Sequence, residues 1–198
     1  VRRDGRPAGT ESRMWVYRSG ELEPNPVILY EYQKTRKKEH AREFLKGFSG
    51  ICVTDGYQVY HSIADEREDL TIAGCWSHAR RGFADVVKAA GKKDVGIRQS
   101  VAYKSLQLIQ TMSRYEEKLA KMEPAERLEA RIHYVLPLAD AFFAYLKSKE
   151  GSVAPKSATG KAIRYCLNQE RFLRVFLTDG YVPMTNNAAE RSIRPFTV

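Results

Sequence analysis

Residues 50–77 read GICVTDGYQVYHSIADEREDLTIAGCWS. Two apolar runs in this stretch, residues 51–54 and 70–76, have the length and composition of buried strands. The segment between them, residues 57–63, predicts a helical turn. Strand, helix and strand in this order are typical of an α/β fold, in which functional residues collect at the carboxyl ends of the strands.

The sequence before this stretch predicts a hairpin and a short helix. Segments 14–17 and 27–32 are rich in β-branched and aromatic residues, and the turn-forming residues of segment 24–26 lie between them. Residues 35–48 are charged, with apolar side chains at helical spacing, and predict an amphipathic helix. Residues 1–13 are polar and predict no regular element.

From residue 78 onward the strand signals stop and helical ones begin. Apolar side chains recur at three- and four-residue spacing over 78–91, 95–122, 125–149 and 157–178. Pro137 is expected to kink or split the third of these helices. The chain is therefore expected to have three parts: a first part over 1–77, a mainly helical part over 78–180, and a return to the first part over 181–198.

Composition excludes several classes of protein. The 198-residue chain is 43% hydrophobic, as in globular proteins, and lacks the run of roughly 18 apolar residues that a membrane span needs. Its three cysteines are an odd number and fit a reducing compartment better than a disulfide framework. We therefore expect a soluble, cytoplasmic protein. The net charge of +9 indicates either an anionic partner such as nucleic acid or a plain basic surface.

Two acidic residues occupy positions that suit a functional carboxylate. Asp55 follows an apolar strand, so its side chain is expected to project from a strand end. Glu190 lies in TNNAAERSIR, residues 185–194, where Asn186 or Asn187 can cap a helix and place Glu190 in its first turn. Taken alone, each acid also has a structural explanation, Asp55 as a turn residue and Glu190 as a capping partner.

Longer motifs connect the two acids. The chain carries TDGYQVY at 54–60, GCWSHARRGF at 74–83 and NNAAERSIRP at 186–195, together with KSATGKAIRY at 156–165 and the segment 36–50. In this order the motifs closely resemble the core of the IS66-family DDE transposases. The resemblance extends over most of the chain, from about residue 15 to residue 195.

The resemblance implies an RNase H-like mixed sheet with a large all-helical insertion between the second and third acids of the family's triad. The second acid falls on Asp55 and the third on Glu190, where they would be ligands of two Mg²⁺ or Mn²⁺ ions. The family's first acid lies on an opening strand, for which Asp4 is a poor substitute. We therefore expect this chain to be inactive, or nearly so, by itself.

The resemblance also implies a reaction and partners. The reaction is metal-dependent hydrolysis at the 3′ ends of an insertion sequence, followed by attack of the freed 3′-hydroxyl on target DNA. The partners are element ends, target DNA and further copies of the chain assembled on DNA, at the bacterial nucleoid. One alternative is a non-catalytic DNA-binding or assembly module derived from the same fold. Another is a structure-selective nuclease, which would share the chemistry without strand transfer.

Cys75 and His78 form a Cys-x-x-His pair. Two ligands do not close a tetrahedral zinc site, and no second pair lies nearby in the sequence. By similarity to Cys/Asp-x-x-His motifs of other DDE transposases, His78 is expected near the active site, where it contacts the scissile phosphate or positions an acid. Capping of the following helix is the alternative role for His78.

Four arginines flank the acidic motifs and are expected to contact DNA phosphates. They are Arg80, Arg81, Arg191 and Arg194. The other basic clusters are interpreted as solvated faces. Tyr57, Tyr60 and Trp76 have two possible roles, stacking on a displaced base or packing in the core.

Overall fold

The computed structural model describes residues 13–91 and 95–196, so Asp4 and most of the polar segment 1–13 lie outside the described residues. The strands are β1 (Arg13–Arg18), β2 (Ile28–Gln33), β3 (Gly50–Thr54) and β4 (Leu70–Gly74). The α-helices are α1 (Lys38–Phe44), α2 (Gln58–Ala64), α3 (Trp76–Ala90), α4 (Val101–Leu119), α5 (Pro124–Ala130), α6 (Leu136–Glu150), α7 (Ala158–Asn168), α8 (Glu170–Leu173) and α9 (Asn187–Ile193). Short 3₁₀ segments cover Val95–Gln99, Val175–Leu177 and Arg194–Phe196. The expected order of a hairpin, an α/β unit and then helices is confirmed.

The described strands form two separate pairs. β1 and β2 are antiparallel, with Arg18 opposite Ile28. β3 and β4 are parallel, with Thr54 opposite Gly74, and α2 connects them. The prediction of buried strands is right for β4, but β3 is only half-buried before Thr54.

Local sequence signals account for most of the helix boundaries. Ser100 caps α4 by accepting a hydrogen bond from the Tyr103 N–H at 3.2 Å, and Ser157 caps α7 in the same way. A π-helical turn, Arg131–Val135, directly precedes α6, and Pro137 lies in the first turn of that helix. Because proline has no N–H to donate into the preceding turn, the regular helical ladder is interrupted here. The expected split at Pro137 is confirmed.

Two hydrophobic clusters hold these elements together. The larger lies among the helices, and its bulkiest buried side chains are Trp76, Phe83, Phe142, Phe143 and Phe176. The smaller joins the strands to α1 and α2, and its buried members are Trp15, Ala41, Leu45, Ile63, Leu70 and Ile72. Trp76 is 1% exposed, and its Nε1 donates to the Leu173 carbonyl at 2.8 Å. This contact assigns Trp76 to the core and excludes it from base stacking.

All three cysteines are free thiols. Within residues 13–91 and 95–196, no helix is both long enough and apolar enough to cross a membrane.

Candidate active site

Asp55 lies directly after β3, and its side chain is exposed. Its Oδ1 accepts a hydrogen bond from the Tyr57 N–H at 3.0 Å, and the glycine between them, Gly56, has φ +84°. The predicted strand-end position and the alternative turn role therefore occur together in one residue. The turn occupies one carboxylate oxygen of Asp55 and directs the residue away from the edge of the sheet.

Helix α7 closes over this turn. The positive φ favours a glycine at Gly56, and a Cβ atom there would lie 2.8 Å from the Tyr165 hydroxyl oxygen, so the tyrosine side chain would have to move. Burial, then the nearby Cys166, Cys75 and Asp55, raise the pKa of Tyr165 to about 12 against an opposing effect of Arg81. Tyr165 therefore presents a protonated hydroxyl to the turn that carries Asp55.

Sequence reasoning did not identify Tyr165 as a site residue. The available signal was its place at the end of the motif at 156–165. That motif begins α7, and Ser157 caps the N-terminus of the helix.

Glu190 lies in the first turn of α9, as predicted. The expected side-chain cap is absent, because Asn186 has φ −91° and ψ 20° rather than the extended conformation that a capping residue adopts. Its Oδ1 is buried and has no hydrogen-bond partner among the described residues. The prediction that Asn186 or Asn187 caps this helix through its side chain is therefore wrong.

His78 and Cys75 lie against Glu190. The distance from His78 Nδ1 to Glu190 Oε1 is 3.6 Å, and the ligand atoms of all three residues lie within 4.8 Å of one another. The structure thus brings the motif at 74–83, GCWSHARRGF, into contact with the motif at 186–195, NNAAERSIRP. It also adds Glu190 to the Cys-x-x-His pair, which spacing in the sequence did not reveal because Glu190 is more than a hundred residues away.

Two hydrogen bonds hold the segment before α9 against the junction of β4 and α3. The Asn186 N–H donates to Cys75 Sγ at 3.4 Å, and the Trp76 N–H donates to the Met184 carbonyl at 3.1 Å. Burial raises the pKa of the Cys75 thiol, although N–H groups of Asn186, His78 and Ser77 oppose that shift. Cys75 therefore anchors this junction as a neutral thiol.

The four arginines of interest are exposed. Arg80 and Arg81 lie on α3 and have no ion-pair partner within the described chain, while Arg191 makes one long contact, 4.0 Å from Nη2 to Glu21 Oε1. Arg194 follows α9 on the surface. Other basic residues are paired instead: Lys38 and Arg42 with Glu66, Arg171 with Asp65, and Arg174 with Asp140 and Glu170. Because Arg80 and Arg81 have no acidic partner within the described chain, α3 carries positive charge beside the site.

The donor atoms divide into two sets. Asp55 Oδ2 and Glu190 Oε2 have no protein partner in the described part of the chain, and carboxylate oxygens suit Mg²⁺ or Mn²⁺. The Cys75 sulfur and the His78 ring nitrogen are softer donors that suit other cations. Glu190 belongs to both sets.

Comparisons with known proteins agree with the motifs. A family model described as "Transposase IS66 family" matches residues 1–198. "Uncharacterized protein y4qI" of Sinorhizobium fredii (strain NBRC 101917 / NGR234) is 32% identical over 200 residues, which are 96% of this chain and 36% of that protein. "Uncharacterized protein y4hP" of the same strain is 31% identical over 198 residues, which are 93% of this chain and 36% of that protein. The chain thus spans about a third of the length of these curated relatives.

No solved structure matches the chain. The family model covers every residue, including the segments that carry Asp55, His78 and Glu190. The chain therefore belongs to the IS66 transposase family.

Proposed function

We propose that this chain is the catalytic part of a DDE transposase, with Asp55 and Glu190 as ligands of Mg²⁺ or Mn²⁺. One observation carries the proposal. Thr54 is opposite Gly74 in a parallel pair, so Asp55 and Cys75 leave the same sheet edge on strands about 4.8 Å apart. Cys75 in turn binds the segment that leads into the helix of Glu190.

The fold proposed for the complete catalytic part is RNase H-like. An antiparallel pair, a parallel pair connected by a helix, and a long helical stretch between the two acids all support it. β1 and β3 each have a single strand neighbour within the described residues. A further strand paired with both would give one mixed sheet and would put its own acid next to Asp55.

The boundaries 1–77, 78–180 and 181–198 are proposed as the first part of the core, the helical insertion and the return to the core. α3 already begins at Trp76, inside the first of these ranges. Val182 and Met184 pack in the larger hydrophobic cluster, so the return segment starts within the helical core.

The residues of the site have separate tasks in this proposal. Bound Mg²⁺ or Mn²⁺ would activate the attacking oxygen and stabilise the leaving oxygen of an in-line phosphodiester displacement. Asp55 and Glu190 would hold the ions through the oxygens that no protein group uses. His78 lies beside Glu190 and would orient its carboxylate or donate to the scissile phosphate. Tyr165 would keep the Asp55 turn in place.

The proposed substrates are the 3′ ends of an insertion sequence and a target DNA. Arg80, Arg81, Arg191 and Arg194 would bind their phosphates. We propose that the chain works within a longer protein, as the length of its relatives suggests, and as several copies on paired ends. The place of action would be the bacterial cytoplasm, at the nucleoid.

Strand transfer by the full-length protein tests the proposal. With labelled element ends and Mn²⁺, Asp55→Asn and Glu190→Gln should each reduce cleavage and strand transfer to background and leave DNA binding within about twofold. Each change keeps the shape of the side chain and removes the charge that holds a divalent cation. Glu129→Gln, which neutralises an exposed acid on α5, is the matched control and should remain active.

Retained transfer in either site variant would contradict the proposal. A full-length protein that binds element ends but cleaves none would favour the alternative, a non-catalytic DNA-binding or assembly module. Cleavage without joining to a target would favour a structure-selective nuclease.

A further inference from the structure

Cys75, His78 and Glu190 form a compact cluster of three possible metal ligands at the junction of β4, α3 and α9. Their ligand atoms all lie within 4.8 Å of one another. Tetrahedral zinc with sulfur, nitrogen and oxygen ligands separates those atoms by about 3.4–3.6 Å, given its usual bond lengths. The 3.6 Å from His78 Nδ1 to Glu190 Oε1 is close to the nitrogen–oxygen separation in such a site, which is about 3.4 Å.

His78 provides a second observation. Its Nδ1 is buried and has no hydrogen-bond partner among the described residues. Buried polar atoms of this kind are rare in folded proteins, and an ion is one of the partners that explains them. The nearest acid, Glu190, is too distant for a hydrogen bond but well placed to share a cation with this nitrogen.

We propose that Cys75, His78 and Glu190 bind a borderline-soft divalent cation, Zn²⁺, at a site separate from the Mg²⁺ or Mn²⁺ site proposed above, with Glu190 common to both. Three protein ligands leave the fourth tetrahedral position open to water, as in zinc sites that are not purely structural. Mg²⁺ is not the preferred cation here, because it binds oxygen ligands and the thiolate and imidazole are softer donors.

The surroundings of Cys75 suit a metal-bound thiolate. The residue precedes α3, and the backbone N–H of Asn186 donates to its sulfur at 3.4 Å. Donors and a helix N-terminus stabilise a thiolate once a cation has displaced its proton. These contacts already exist without the cation, so binding requires little rearrangement of the backbone.

Sharing of Glu190 gives the site a functional consequence, which rests on the proposed function. Zn²⁺ on Cys75 and His78 would draw the Glu190 carboxylate away from the catalytic cations. Zn²⁺ is therefore expected to inhibit strand transfer in competition with Mn²⁺, and a zinc chelator should restore it.

Cobalt binding by the full-length protein tests the cation site without any activity measurement. One equivalent of Co²⁺ should produce thiolate-to-cobalt charge-transfer absorption together with the visible bands of a tetrahedral ion, and Zn²⁺ should displace both. Cys75→Ser should remove the charge-transfer absorption. His78→Gln and Glu190→Gln should each weaken Zn²⁺ binding at least about tenfold, since even the loss of groups outside the ligand shell costs 10–100-fold.

Two control variants exclude other ligands. Cys52→Ser changes a free cysteine elsewhere in the fold, and His133→Gln changes an exposed histidine; neither should alter the cobalt spectrum or the Zn²⁺ affinity. Circular dichroism establishes that each variant is folded, and Cys75→Ala replaces Cys75→Ser if the serine variant is not.

Absence of the charge-transfer absorption in the wild type, or its persistence in a folded Cys75 variant, would overturn the proposal. If Zn²⁺ binds as expected but the protein has no strand-transfer activity, the proposed function fails and the cation site stands. If the protein has strand-transfer activity but the cobalt spectrum shows no thiolate ligand, the cation site is rejected and the proposed function stands.

Discussion

The helical region, residues 76–177, and the α/β region, residues 13–74, differ in how completely they bury their side chains. Helices α3, α4, α6 and α7 enclose one continuous apolar cluster, with Phe83 and Phe142 fully buried. The α/β region has a small cluster and leaves apolar side chains of β2 at the surface, Leu29 being 49% exposed. Most of the stability therefore lies in the helices, whereas Asp55 lies in the less buried region.

Each region contains buried polar groups, and not all of them are hydrogen-bonded. Arg131, fully buried among the helices, makes a two-pronged contact with Glu116 at 2.9 and 2.6 Å and donates to the Phe176 and Asp179 carbonyls. In the α/β region, atoms of Trp15, Tyr17, Thr54 and His61 are buried without a hydrogen-bond partner among the described residues. In the helical region, atoms of His78, Ser105 and Gln169 are likewise buried without a hydrogen-bond partner among the described residues. Unpartnered buried polar atoms therefore occur in both regions.

Truncation in the helical core should have the largest effect. Phe142→Ala removes a fully buried ring that packs against Trp76 and Phe83, and it should lower the free energy of unfolding by about 3–5 kcal/mol. Urea unfolding of the 198-residue chain measures the loss. If the variant does not fold, Phe142→Leu should fold with a smaller loss. A loss below about 1 kcal/mol for Phe142→Ala would contradict the assignment of stability to the helices.

Lowering the pH should decrease the free energy of unfolding through His61, which lies in the α/β region. His61 stacks on Phe172 with ring centroids 3.9 Å apart, and burial, then Arg171, lower its pKa against opposing effects of Asp65 and Asp55. Above the unfolded pKa near 6.5, His61 is neutral in both states and its contribution is constant. As the pH falls below that value, the unfolded chain takes up the proton first, so the free energy of unfolding decreases.

Urea unfolding at pH steps from 7.5 to 5.5 measures this decrease. His61→Gln should flatten it, because the variant has no ring to protonate. His133→Gln, on the exposed face of the π-helical turn, should leave the slope of the wild type unchanged. Equal slopes in the wild type and His61→Gln would show that His61 is not the group responsible.

Truncation on the exposed face of β2 should have the smallest effect. Leu29→Ala is expected to change the free energy of unfolding by less than about 0.5 kcal/mol, as at other exposed positions. The measurement is the same urea titration that is used for Phe142→Ala. A loss above 1 kcal/mol would mean that this face is covered in solution and would remove the difference between the two regions.

The sequence predicted the elements well because periodicity and turn chemistry are local. The hairpin, the strand that ends at Thr54, and the interruption at Pro137 all follow from residues within a few positions of one another. Membership of the IS66 family was also readable, since its motifs are contiguous.

The contacts between motifs were not readable in the same way. Glu190 meets Cys75 and His78 where Asn186 and Met184 bind the junction of β4 and α3. Tyr165 reaches the Asp55 turn only because α7 packs on α3, where an added Cβ at Gly82 would lie 2.9 Å from Ala162. Such pairings depend on packing over long sequence separations, which periodicity does not encode. The prediction of an Asn186 side-chain cap was wrong at a residue whose N–H donates to Cys75, a partner far away in the sequence.

We propose above that Asp55 and Glu190, which are 135 positions apart in the sequence, hold divalent cations at one site. Crystals of the full-length protein grown with Mn²⁺ test it most directly, by anomalous scattering measured at the manganese absorption edge. We expect an anomalous peak bonded to carboxylate oxygens of both Asp55 and Glu190, and its loss in Asp55→Asn. A Mn²⁺ peak that touches neither carboxylate, or no peak at saturating Mn²⁺, would contradict the claim.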